Sequence, residues 1–121
     1  MALARQMMGG GLSAGQAKAI NGSVATALTA AGTTQGTAYA INAGTAVFGT
    51  VAASSGAILP SCEVSDEVYI YNGGANALTV YPDSGSTINQ LSANSGFSLG
   101  PNTAVMCKRI TTTRWIALLS A

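Results

Sequence analysis

From Ala19 to Cys62 the chain carries no charged side chain; Lys18 is the last charge before this stretch and Glu63 the first after it. It is built almost wholly from Ala, Thr, Gly, Ser and small aliphatic residues. Over all 121 residues only 7% are charged, there is no His, and the formal net charge is +1, where a typical globular chain is about 25% charged. A free monomer with so little charge has weak protection against association. The composition therefore points to a structural subunit whose uncharged faces are covered in an oligomer or a larger assembly.

The length fits one domain, able to bury roughly two-thirds of the surface its unfolded form exposes. With 6% aromatic residues, Val, Ile, Leu and Ala must fill most of the core, and these contribute less burial per residue than Phe or Trp. No run approaches the ~18 apolar residues of a membrane span, and the opening Met1-Ala-Leu-Ala-Arg5 lacks the apolar core of an export signal. Neither a membrane partner nor an export address is expected. Cys62 and Cys107 are too few for a disulfide framework and have no CxxC spacing, so buried free thiols are expected.

Residues 1–21 read as a flexible arm, with a Gly-rich, greasy Met7-Met8-Gly9-Gly10-Gly11-Leu12 and a short helix that Ser13 caps and Asn21-Gly22 ends. Residues 22–121 form the domain. Segments rich in β-branched and aromatic residues recur there between turn residues: Val24 to Thr29, Thr37 to Ile41, Thr45 to Val51, Val68 to Tyr71, Leu78 to Tyr81, Phe97 to Leu99, Ala104 to Ile110 and Arg114 to Leu119. This spacing predicts an all-β fold, a small antiparallel β-sandwich or barrel of jelly-roll type. Val68–Tyr71 and Leu78–Tyr81, joined by Asn72–Ala77, read as one hairpin, and Ala104–Ile110 with Arg114–Leu119 around Thr111-Thr112-Thr113 as another. Ile41-Asn42-Ala43-Gly44 echoes Tyr71-Asn72-Gly73-Gly74, but without a third copy at a fixed period a solenoid is not expected.

The absence of His removes Ser-His-Asp and Cys-His nucleophile activation and the commonest metal ligand. No catalytic residue, cofactor or metal site is expected. Glu63, Asp66, Glu67 and Asp83 are all the carboxylate side chains. A glycosidase pair or a calcium loop could draw on them, but the EF-hand spacing and its Gly are missing, and a solvated turn before Val68 explains three of them. Gly9 to Ala14 fits GxGxxA formally, without a preceding strand or a later ribose-binding acid, and reads as linker. Lys108, Arg109 and Arg114 beside Trp115 form a basic cluster on the final hairpin. It is either a docking contact or a strand edge guarded against aggregation, and the near-neutral net charge argues against nucleic acid.

The run Asn72-Gly-Gly-Ala-Asn-Ala-Leu-Thr-Val-Tyr-Pro82, then Ile88-Asn89-Gln90-Leu91, Phe97-Ser98-Leu99 and Arg114-Trp115-Ile116-Ala117-Leu118-Leu119, resembles a β-domain of tailed-bacteriophage structural proteins. The likeness covers about residues Thr37 to Ser120 and is nearest to head decoration, or cement, proteins. It implies a homotrimeric β-sandwich or barrel, assembled in the host cytoplasm and seated on the outer capsid surface, where it clamps neighbouring copies of the major capsid protein. On that footing Met7, Met8, Leu12 and Ile20 of the arm, with Lys108, Arg109 and Arg114, are the capsid-contact candidates. A tail-fibre or baseplate receptor-binding module is the alternative, with Tyr69, Tyr71 and Tyr81 as its only aromatic candidates, although cross-strand packing accounts for these more simply. A carbohydrate-active enzyme using the acids above is a more distant one.

Overall fold

The computed structural model describes residues 23–120. The expected arm, its helix from Ser13 and the contact candidates Met7, Met8, Leu12 and Ile20 lie outside the described residues. Ten strands follow: β1 (Val24–Thr29), β2 (Tyr39–Ala40), β3 (Thr45–Thr50), β4 (Gly56–Ile58), β5 (Glu67–Asn72), β6 (Leu78–Tyr81), β7 (Thr87–Ile88), β8 (Phe97–Leu99), β9 (Thr103–Thr111) and β10 (Arg114–Leu119). They form a six-stranded sheet in the order β1-β3-β5-β9-β10-β7 and a four-stranded sheet in the order β2-β4-β6-β8. The all-β, two-sheet sandwich expected from the sequence is what the chain forms.

Antiparallel pairing holds for only part of it. β5–β9, β9–β10 and β6–β8 run antiparallel, whereas β1–β3, β3–β5, β2–β4, β4–β6 and β7–β10 run parallel. From β1 to β6 the chain alternates between the sheets, so each strand's neighbour is the strand two further on. The winding is that of a short coil, and Val24, Thr45 and Tyr69 stand side by side on successive turns. Because the turns are of unequal length, no fixed period marks them in the sequence.

The expected hairpin of Val68–Tyr71 with Leu78–Tyr81 is therefore replaced by a corner. β5 lies in the larger sheet and β6 in the smaller. Asn72 makes the turn: its fully buried amide donates to Asn76 O and Leu99 O, both at 2.9 Å, and accepts from Gly74 N at 2.9 Å. Every polar atom of the side chain is engaged across both sheets, so a buried Asn is tolerated. Gly74 is required there, since a Cβ would come within 2.7 Å of Val51 N. The final hairpin forms as expected, with Trp115 opposite Arg109 and Ile116 opposite Lys108.

Alternation along each strand decides what faces the core. Val68 and Ile70 of β5, Leu78 and Val80 of β6, Val105 and Cys107 of β9 and Trp115 of β10 turn inward and are buried. Phe48 completes the layer and receives Tyr39 edge-on, with ring centroids 5.6 Å apart, a geometry that aromatic quadrupoles favour. At the open edge of the larger sheet, β1 breaks register between Ala25 and Leu28, where Ala27 takes φ 55°. Such a bulge blunts an uncharged edge strand against further pairing.

Candidate functional site

The basic cluster expected on the last hairpin is divided by the pleat. Arg109 points inward: it is 6% exposed, and its Nη1 donates to both carboxylate oxygens of Asp83 at 3.0 Å. Nη2 donates to Thr112 O, and the guanidinium carbon lies 5.5 Å from the Trp115 ring centroid. Trp115 Nε1 donates to the same carboxylate at 2.9 Å. Burial pushes the Asp83 carboxyl up, but hydrogen bonds from Trp115, Arg109 and Ser86, with the Arg109 charge, outweigh it and hold Asp83 below the usual carboxylate range. Arg109 is thus corrected from a contact candidate to the centre of an internal ionic lock, because odd-numbered positions of β9 from Val105 to Arg109 face the core.

Lys108 and Arg114 keep their place on the outer face of the six-stranded sheet. Lys108 reaches Glu67 Oε2 at 3.7 Å, and Arg114 donates to Asn89 O at 2.7 Å. Around them the face is apolar. Tyr69, Tyr71, Ile110 and Leu118 are exposed, and Met106 and Ile116 are half-buried. Two concavities mark it. One, of about 340 Å³, lies between Tyr69, Tyr71, Met106 and Leu118. The other, of about 700 Å³, opens where β10 meets the segment after β7 and is lined by Asn89, Gln90, Leu91, Phe97, Ile110, Arg114 and Ile116. The larger one combines apolar walls with amides and one guanidinium, a composition suited to burying a protein surface or a polar ligand.

Asp66 and Glu67, like Asp83, have structural partners for their carboxylates. Asp66 Oδ2 accepts from Glu63 N at 3.0 Å, and the loop docks on β9 through Ser65 N to Arg109 O at 2.6 Å and Arg109 N to Asp66 O at 3.0 Å. This is the turn before β5 that the sequence suggests. Glu67 accepts from Tyr69 Oη at 3.2 Å beside its Lys108 contact. Among the described residues no group of His, Cys, Asp and Glu is placed to hold a metal ion. Cys62 and Cys107 are both free thiols. Burial first, then the Asp66 charge, pushes Cys62 up to about 11, and burial pushes Cys107 up to about 12.

Tyr69 and Tyr71 are not core residues: they stand 43% and 38% exposed on the outer face, in cross-strand register with Thr45 and Met106 and with Val47 and Ala104. Their signal lay in the run Val68-Tyr69-Ile70-Tyr71, which sends both tyrosines to the side opposite Val68 and Ile70. Sequence reasoning did not single out Leu91, Phe97, Ile110 or Ile116, which only the fold brings together. Tyr81 lies instead on the smaller sheet, half-buried, with Oη donating to Thr33 O at 3.3 Å. The chain matches no family model, no curated protein and no solved structure.

Proposed function

We propose that the chain is a bacteriophage capsid decoration, or cement, protein that binds the outer surface of the head as a homotrimer and stabilises the shell through contacts with the major capsid protein. The observation that carries this reading is the cleft on the outer face, where Leu91, Phe97, Ile110 and Ile116 stand beside Arg114. An apolar centre with aromatic and Arg side chains is the usual anatomy of a protein–protein contact. The scarcity of charge supports the same conclusion, since a closed trimer covers apolar surface that one copy leaves bare. The work is binding, with no catalytic step or cofactor. Arg114 and Lys108 give it a salt-sensitive part, and the apolar walls a part that salt does not screen.

Titration of the purified chain onto particles lacking it tests the proposal, with thermal or mechanical rupture as the readout. A ligand that binds the shell but not its dissociated subunits stabilises it by RT ln(1 + [L]/Kd), about 2.7 kcal/mol per site at a hundredfold excess over Kd. Saturable binding with a raised rupture threshold is expected; binding without that gain removes the cement role. The exposure of Tyr69 and Tyr71 favours a second reading, a tail-fibre or baseplate receptor-binding module. Failure to bind heads together with attachment to host cell surfaces would establish it in place of the first.

A further inference from the structure

The smaller concavity lies on a row of side chains that crosses the six-stranded sheet in register. Val24 pairs with Thr45, Thr45 with Tyr69, Tyr69 with Met106, and Met106 with Leu118. Val24, Tyr69 and Leu118 are 62%, 43% and 58% exposed, so the row is an open apolar stripe. Four strand spacings of about 4.8 Å make it roughly 19 Å long. The described chain begins at Ser23, one residue from the near end of this stripe, and 22 residues precede it. That preceding segment carries charged side chains only at Arg5 and Lys18, and five of the seven residues between Leu12 and Ile20 are small: Ser13, Ala14, Gly15, Ala17 and Ala19, with Gln16 and Lys18 among them.

We propose that residues 12–20 fold back over the outer face of their own chain and fill the groove between Tyr69 and Leu118, with Leu12 and Ile20 as apolar anchors. The reach is sufficient. Residues 12–20 measure about 30 Å if extended, longer than the stripe, and residues 13–20 about 12 Å as a helix, enough for the two strand spacings, about 10 Å, that separate Tyr69 from Leu118. Small residues between the anchors let a backbone lie close to a flat sheet face. The covalent tether makes the groove's own segment its most concentrated occupant, at an effective concentration on the order of millimolar for a short flexible linker. The inference does not depend on what the larger cleft binds, since it concerns the opposite end of the face.

The test places a nitroxide at Ser13→Cys in the full chain on a Cys62→Ser background, where Cys107, fully buried, escapes labelling. The isotopically labelled, spin-labelled chain is diluted into excess unlabelled, unmodified chain, so that only intramolecular broadening registers. Amide signals of Tyr69, Tyr71, Met106 and Leu118 should be lost while those of β4 and β6, in the other sheet, stay sharp. Equal broadening everywhere, or none, overturns the proposal. Broadening only when the nitroxide and the isotope are on different chains overturns it in favour of a second copy. Should Cys62→Ser fail to fold, Leu12→Asn with Ile20→Asn in the otherwise unaltered chain gives an independent reading. Amide shifts confined to the same four residues and their neighbours support the proposal, and an unchanged outer face refutes it.

Discussion

Replacing Asp83 with Ala should be among the most damaging single changes outside the apolar core. The carboxylate holds Arg109 through both oxygens at 3.0 Å and Trp115 Nε1 at 2.9 Å. The two charged side chains are only 7% and 14% exposed. Removing one partner of such a pair leaves a desolvated guanidinium without its counter-charge, which costs about 3–5 kcal/mol, against a total stability of about 5–15 kcal/mol for a domain. At a urea slope of about 1–2 kcal/mol per molar, the midpoint should fall by about 1.5 M or more. Lys108→Ala is the control: its pair with Glu67 spans 3.7 Å and stands well into solvent, so about 0–1 kcal/mol is expected. Chain concentration must be held fixed, because self-association raises the apparent midpoint. The lock also sets an acid dependence. A carboxyl whose folded pKa is depressed contributes stability that is complete above its unfolded value near 3.9 and is lost as pH falls through the lower folded value. The wild-type midpoint should thus decline below about pH 4, and Asp83→Ala should lack that share of the decline. Equal losses in Asp83→Ala and Lys108→Ala, or identical pH profiles with and without Asp83, would refute the reasoning.

Asn72→Ala should strand Leu99 O in the buried layer and leave the part-buried Asn76 O and Gly74 N to water; at about 1–3 kcal/mol for the buried unsatisfied group, the melting temperature should fall by about 4–24 °C, and a change under a few degrees would show that water replaces the amide. Both thiols should resist alkylation in the folded chain near neutral pH, Cys107 more than Cys62, because their raised pKa values leave almost no thiolate; unfolding should release two equivalents, and recovery of a mutual disulfide in mass spectra would contradict this. Lys108→Gln with Arg114→Gln should weaken docking on particles at low salt and flatten its salt dependence without lowering the unfolding free energy by more than about 1 kcal/mol. An unaltered salt profile would place the contact elsewhere.

Most strands were legible because their alternation is strong. β1, β6, β8 and β10 have the residue limits that the sequence suggests, and β3, β5 and β9 differ by a residue at an end or two. β4 and β7, of three and two residues, lack the length for a periodic signal. Pairing could be read only for the final hairpin. Asn72-Gly73-Gly74 has the composition of a tight hairpin turn, yet the buried contacts of the Asn72 amide with Leu99 O and Asn76 O carry the chain to the other sheet. Such long-range partners leave no local mark. The same holds for the surface: Lys108, Arg109 and Arg114 are neighbours in sequence, but the pleat sends Arg109 to Asp83 and leaves the other two outside. The larger cleft joins Leu91, Phe97, Ile110 and Ile116 from four separate places in the chain, so no motif announces it.

Electron cryomicroscopy of particles assembled with and without this chain tests the proposed role most directly. Density for the two-sheet domain in groups of three on the outside of the head, with the Ile116 and Arg114 face against the major capsid protein and absent from particles lacking the chain, is the expected result. Unchanged heads, with the domain found only on the tail or not at all, would contradict it.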